Sequence, residues 1–168
     1  MRSLALLLGL AVAAGSLPAR AEVAVTFDHP ERYTDAALYS DRAGVRARQP
    51  AMDGIRQHLE HLGTRYLRPG QTLRIEVLDI DLAGRFEPWR PFASDVRFMR
   101  EVTWPRITVR YSLEEGGKVR SAATETIVDQ NYLSQVGGYF QSDSLRYEKA
   151  MLDNWFRARF VERGAARH

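Results

Sequence analysis

The chain contains no cysteine. It therefore forms no disulfide, offers no thiol nucleophile or thiolate metal ligand, and lacks the cysteine on which a bacterial lipid anchor is built. Lysine is almost absent as well, because only Lys118 and Lys149 occur among 24 basic residues. The arginines are spread along the chain among 21 acidic residues, whereas a nucleic-acid-binding protein concentrates its positive charge on one face. We therefore expect no nucleic-acid partner.

The chain also lacks an apolar run of membrane-spanning length. Its longest uncharged apolar stretch, residues 4–14, follows Arg2 and precedes Pro18 and the triplet Ala19-Arg20-Ala21. A spanning helix needs about 20 apolar residues, while a shorter run between a basic start and small residues is typical of a signal peptide. We expect cleavage after Ala21 and a soluble, unanchored protein in the periplasm, with secretion from the cell as the alternative.

Removal of residues 1–21 changes the charge balance. This segment contains Arg2 and Arg20 but no acid, so the formal net charge falls from +3 to +1. The remaining residues, 22–168, are close to the common size of one domain and contain no repeat and no Pro-, Gly- or Ser-rich linker. We predict a single domain over 22–168.

Hydrophobic periodicity predicts the order strand, helix, strands, helix. Alternation over 23–27 indicates a first strand, and the apolar stripe of the segment that begins at Pro50 indicates a helix. Its members recur at steps of three and four: Met52, Ile55, Leu59, Leu62 and Tyr66. A long polar loop over 31–49 separates the two elements.

Further extended stretches follow at 72–82, 96–104, 107–113 and 118–128, with a turn at 114–117 and a break at Pro105. A last helix is predicted over about 144–161. Short turns between consecutive strands favour a mostly antiparallel sheet. The expected fold is an α+β two-layer sandwich with about four or five strands and both helices on one face.

Several spaced motifs resemble a family of exported bacterial proteins, domain of unknown function 3016. They are Val25-Thr26-Phe27, Tyr33-Thr34-Asp35, residues 79–84 (DIDLAG), residues 104–107 (WPRI) and residues 147–152 (YEKAML) with Trp155. The resemblance covers nearly all of 22–168. It implies export and a single domain, and it assigns no activity and no functional residue.

Asp79 and Asp81 are the first candidates for chemistry. Residues two apart on a strand point to the same side, so their carboxylates could share a proton or bind a hard cation if a third acid such as Asp129 joined them. The same register aligns them with the apolar row of that strand. The alternative is that both acids face water or pair with arginines such as Arg85, Arg97 or Arg106.

Glu148 is the second candidate, because its position in the last helix falls on or beside the apolar stripe. A buried carboxylate must be paired or neutral. We favour an ion pair with an arginine of the sheet, and the alternative is a proton-transfer group with a raised pKa.

The loop Gly84–Asp95 is the third candidate, and it differs in kind from the carboxylates. It contains Arg85, Phe86, Trp89, Arg90 and Phe92 between two predicted strands. Arginine and aromatic side chains are enriched at protein interfaces, so this loop is the predicted interaction surface. The alternative is a loop that folds back over the sheet edge.

No catalytic or cofactor motif completes these patterns. An EF-hand over 79–90 fails because Ala83 and Arg90 would stand at ligand positions, and no nucleophile elbow or phosphate-binding glycine loop occurs. We therefore predict no catalytic residue, metal or cofactor. The favoured function is a non-enzymatic domain that binds a periplasmic protein, peptide or envelope component. The alternative is a carboxylate- or metal-dependent hydrolase centred on Asp79 and Asp81.

Overall fold

A computed structural model describes residues 20–38, 47–93, 96–134 and 142–162. Most of the predicted signal peptide and the last two residues of the predicted interaction loop lie outside these ranges. Six strands and two helices occur in the described residues. They are β1 (Glu22–Phe27), α1 (Gln49–Tyr66), β2 (Gln71–Asp81), β3 (Arg85–Phe86), β4 (Arg97–Phe98), β5 (Arg106–Glu115), β6 (Lys118–Val128) and α2 (Arg146–Phe156), which a π-helical segment (Arg157–Glu162) continues.

The main sheet is mixed, with the strand order β1-β2-β5-β6. The pairings β2–β5 and β5–β6 are antiparallel, and the pairing β1–β2 is parallel. The parallel pair arises because α1 lies between β1 and β2 in the chain and returns it to the same end of the sheet. β5 and β6 are joined directly through Gly116 and Gly117, whose φ angles of 58° and 73° suit a two-residue hairpin turn.

One face of the sheet carries the core and both helices. The buried stripe of α1 includes four of the predicted residues, Met52, Ile55, Leu59 and Leu62, and α2 contributes Met151, Leu152, Trp155 and Phe156. The opposite face, called the outer face below, carries the alternate residues of each strand and is crossed by the ion pairs Arg74–Glu114 and Arg110–Glu76. This arrangement is the α+β two-layer sandwich that the periodicity predicts.

The predicted strand over 96–104 is much shorter in the structure. Only Arg97 and Phe98 are extended, and they pair with β3 as a separate small hairpin. The chain then turns, because the Thr103 hydroxyl donates to the Arg100 carbonyl and accepts from the Arg100 N–H. Val102 is 74% exposed, so this β-branched residue does not belong to a buried strand.

Helix α1 approaches β1 closely at Gly63. A Cβ atom at this position would lie 1.9 Å from Cγ2 of Val23, which is a stiff β-branched side chain. At Gly54, in the same helix, the obstructing atom is only the far end of Leu145, at 2.5 Å.

We predict that Gly63→Ala destabilises the fold by roughly 1–3 kcal/mol, because overpacking outweighs the better helix propensity of alanine. Gly54→Ala is the matched control and is expected to change the free energy of unfolding by less than about 1 kcal/mol, since Leu145 can rotate away. Denaturant unfolding of both variants checks this. Equal effects at the two positions would contradict the packing argument.

Candidate functional site

A bulge in β2 decides where its two aspartates point. The pairing with β5 shifts between Val77 and Asp79, so Ile80, not Asp79, continues the buried row. Asp79 and Asp81 therefore share a side, as predicted, but that side is the outer face and not the face of Leu73, Ile75 and Val77. The extra residue of a bulge reverses the alternation of a strand, which period-two reasoning does not anticipate.

Asp79 organises the segment that follows β1. Its Oδ1 accepts from the Thr34 N–H at 2.7 Å and its Oδ2 accepts from the Thr34 hydroxyl at 2.8 Å. Both carboxylate oxygens are thereby engaged by one residue, in the manner of a cap. In the structure Asp79 therefore fixes a loop through both of its carboxylate oxygens.

Asp81 is the more deeply buried of the two, with 1% of its surface exposed. Arg106 Nη2 donates to Oδ2 at 2.9 Å, and Arg85 Nη2 lies 2.7 Å from Oδ1. The Arg85 contact is an ion pair without hydrogen-bond geometry, so Oδ1 accepts no hydrogen bond from the described residues. Asp81 is therefore paired with two of the arginines that the sequence analysis offered as its alternative partners, Arg85 and Arg106.

Arg97 and Asp35 form a further ion pair beside Asp81. Arg97 binds the carboxylate with both terminal nitrogens, at 3.0 Å from Nη1 to Oδ2 and 2.9 Å from Nη2 to Oδ1. The same guanidinium donates to the carbonyl oxygens of Ala83, Gly84 and Ala37. Arg97 therefore ties together β4, the turn after β2 and the segment after β1.

Glu148 reaches this turn from the helix side. It is 2% exposed, and its Oε1 accepts from the Ala83 N–H at 2.8 Å. The expected arginine ion pair does not occur among the described residues, and Oε2 has no hydrogen-bond partner there. Burial raises the pKa of Glu148 above its ordinary value of 4.5, although the bond from Ala83 and the positive charge of Arg97 act in the opposite direction.

The carboxylates do not assemble into an open acidic site. Asp129 Oδ1 accepts from the Asn131 N–H at 3.0 Å and so closes a local turn. Within the described ranges no three His, Asp or Glu side chains are placed to hold a metal ion. Asp79, Asp81, Asp129 and Glu148 each accept a hydrogen bond from another residue of the domain.

The loop after β2 is a small hairpin with a charged base. Glu87 is buried and accepts from Arg100 at 2.8 Å through Nε and 2.5 Å through Nη2, and it also pairs with Arg90. The hydrogen bonds from Arg100, and to a smaller extent the bond from Arg90, hold the pKa of Glu87 below its ordinary value of 4.5. One buried acid thus joins the two arms of the hairpin.

Two arginines also stack on aromatic rings of the same hairpin. The guanidinium of Arg90 lies 4.6 Å from the centre of the Phe98 ring, and that of Arg97 lies 4.7 Å from the Phe86 ring. Such cation–π contacts add to the ion pairs. Three of the predicted interaction residues, Arg85, Phe86 and Arg90, are consequently occupied in holding the hairpin together.

Trp89 and Phe92 are the two aromatic residues of the loop that remain exposed. Trp89 is 74% exposed and Phe92 fully so. Phe92 also has a φ of 60°, a left-handed conformation that a bulky residue rarely adopts. We call these two residues the aromatic tip. Neither burial nor backbone preference accounts for phenylalanine at position 92.

Two acids of this site, Asp35 and Glu87, were not among the predicted site residues. Asp35 lies in a polar segment without periodicity, and it reaches the site because its backbone bridges to Asp81 beyond the end of β1. Glu87 stands among aromatic residues and arginines, where sequence alone does not indicate which acid is buried. The family motif Tyr33-Thr34-Asp35 pointed to Asp35 without giving it a role, and acids flanked by dispersed arginines were the only hint for Glu87.

The chain matches a known protein family over most of its length. The family model for proteins of unknown function, DUF3016, matches residues 21–158. The chain belongs to the DUF3016 family. The match includes Asp35, Asp81, Arg97 and Glu148 as well as the aromatic tip, and it confirms the resemblance inferred from the motifs. The family has no assigned activity.

Curated proteins and solved structures add no information about function. No curated protein matches the chain. The crystal structure of XCC0632 from Xanthomonas campestris, a DUF330 protein, is similar with a TM-score of 0.39 and 11% identity over 89% of each chain. A likeness this distant supports no conclusion about function. Among the described residues no helix has both the length and the apolar composition that a membrane crossing requires.

We predict that Glu148→Gln gains stability relative to the wild type as pH rises above about 4.5. Because burial raises the pKa of the folded state, the unfolded chain ionises first, and the wild type loses stability with rising pH until the folded-state pKa is passed. Glutamine keeps an acceptor for Ala83 and does not ionise.

Melting temperatures of both proteins between pH 4 and 8 measure this effect. Glu60→Gln, at an exposed position of α1, is the control and should run parallel to the wild type. If the melting temperature of Glu148→Gln also runs parallel to that of the wild type over this pH range, burial does not raise the pKa of Glu148.

Proposed function

We propose that the chain is an exported binding domain that docks onto a partner protein or peptide in the periplasm through the aromatic tip. The observation that carries the proposal is Phe92, which is fully exposed and held in a strained backbone conformation. Local strain and exposed apolar surface both cost free energy in the isolated domain, and they are found together where a binding partner recovers that cost.

The base of the hairpin supports this function by holding the tip in one position. Arg97 joins the hairpin to Asp35, and Glu87 joins Arg90 to Arg100. A preorganised loop loses little conformational entropy on binding. Exposed tryptophan beside arginine on such a loop is the composition of an interface hot spot.

The charge around the tip favours a protein partner over a lipid surface. Residues 84–104 contain four arginines and three acids, and two of the arginines, Arg85 and Arg97, pair with Asp81 and Asp35 outside this segment. Lipid-binding segments carry clustered positive charge, which is missing here. An apolar pocket on a partner protein fits the exposed rings better.

The location is part of the proposal. The basic start, the apolar run of residues 4–14 and the Ala19-Arg20-Ala21 triplet favour export with cleavage after Ala21. The absence of cysteine suits an oxidising compartment, because no thiol is available for unwanted pairing.

A photo-crosslinking residue at position 89, in the natural host, tests the proposal. We expect one discrete adduct in the periplasmic fraction, and none from the same residue at position 60 on the exposed face of α1. Phe92→Gly should reduce the adduct roughly tenfold or more, because it removes an anchor.

Phe92→Gly also separates binding from folding. Glycine accepts the left-handed conformation, so the free energy of unfolding should stay the same or rise by up to about 1 kcal/mol. The proposal fails if position 89 gives no adduct, or gives the adducts of position 60. It also fails if the domain is recovered only from the cytoplasm.

A further inference from the structure

Strand β6 leaves one long edge of the main sheet open. Ten of its 11 residues pair with β5 on one side, with Arg120 as the extra residue of a bulge, and no described backbone group bonds its other side. The edge strand at the opposite end, β1, has 6 residues. A free edge is a row of unpaired N–H and C=O groups, and the ligand that satisfies such a row is another extended strand.

The middle of β6 carries few of the devices that protect an edge. Lys118 and Arg120 lie near its start, and residues 121–124 (SAAT) have neither charge nor proline. Glu125 points to the helix side, where it accepts from Trp155 Nε1 at 2.9 Å and Arg159 Nε at 2.7 Å. Its charge is thereby paired within the domain and is not free to repel an incoming strand.

We propose that β6 pairs antiparallel with β6 of a second copy of the chain, on a two-fold axis that passes beside Ala123. In this register the regular segment 121–125 pairs with itself, since residue 121 lies opposite 125 and residue 122 opposite 124, and the pairing ends at the bulge at Arg120. On the helix side Ser121 meets Glu125. At the axis Ala123 meets its own copy.

The side chains of this register are mutually compatible. The hydroxyl of Ser121 can donate to the Glu125 carboxylate of the other copy, and no two like charges lie opposite each other. On the outer face Ala122 meets Thr124. Moving the axis to Thr124 sets Glu125 against Ala123, which leaves a carboxylate opposite an apolar side chain, and moving it to Ala122 sets Glu125 against Val119, beyond the bulge.

The pairing would join two sheets into one of eight strands. An open groove of about 590 Å³ lies on the outer face, where Ala24 and Thr26 of β1 and Ala122 and Thr124 of β6 contribute small side chains. Because β6 forms one margin of this groove, the second copy would extend it across the axis. The interaction is independent of the aromatic tip and of the function proposed for it.

Single cysteines test the register, because the full chain contains no other thiol. In the proposed dimer the two Cα atoms at position 123 lie about 4.5–5.5 Å apart, within disulfide range. We expect Ala123→Cys of the mature protein to form a disulfide-linked dimer under mild oxidation. Val119→Cys is the control, since its two copies would lie roughly 26 Å apart.

Sedimentation velocity of the wild type and of the double variant Ala122→Lys, Thr124→Lys completes the test. Both positions are exposed on the outer face, so the domain is expected to keep its circular dichroism spectrum and to become monomeric. A monomeric wild type at the highest attainable concentration would overturn the proposal. So would a dimer that survives both lysines, or equal cross-linking at positions 119 and 123.

Discussion

The bidentate pair between Arg97 and Asp35 holds together parts of the molecule that the main sheet leaves separate. Asp35 belongs to the segment after β1, Arg97 to the small hairpin, and the carbonyls that share the guanidinium belong to the turn after β2. Asp81 with Arg85 and Glu148 with Ala83 reinforce the same turn from either side. Arginine suits this position because its planar fork binds a carboxylate and several carbonyls at once.

The aromatic tip depends on this arrangement. The hairpin has a strand pair of only two residues, so the ion pairs at its base help to fix the loop between β3 and β4. With it, Phe92 is kept in a backbone conformation that its side chain disfavours, and Trp89 stays exposed beside it. Asp81 and Glu148, which first suggested catalysis, thus hold the turn from which the hairpin starts.

Hydrophobic periodicity predicted the helices and long strands that bury one face. The stripe of α1 and the alternation of β2, β5 and β6 are of this kind, and they predicted the α+β sandwich. The bulge before Asp79 is a one-residue shift of register, and the turn at Thr103 is closed by hydrogen bonds of one hydroxyl. No repeat pattern encodes either feature. Asp35 was beyond prediction for another reason, since it meets Arg97 across 62 positions of sequence. The exposed loop could be found, because Trp89 and Phe92 break the polar composition of loops.

Amide hydrogen exchange in the Asp35→Asn variant tests most directly whether this ion pair holds the hairpin. Asparagine is nearly isosteric but cannot bind Arg97 with two charged oxygens. We predict faster exchange confined to residues 82–99, with the amides of α1 and of the β5–β6 hairpin unchanged. Glu114→Gln, which removes the exposed pair with Arg74, should leave residues 82–99 as in the wild type. Unchanged exchange over 82–99 in Asp35→Asn would contradict the account.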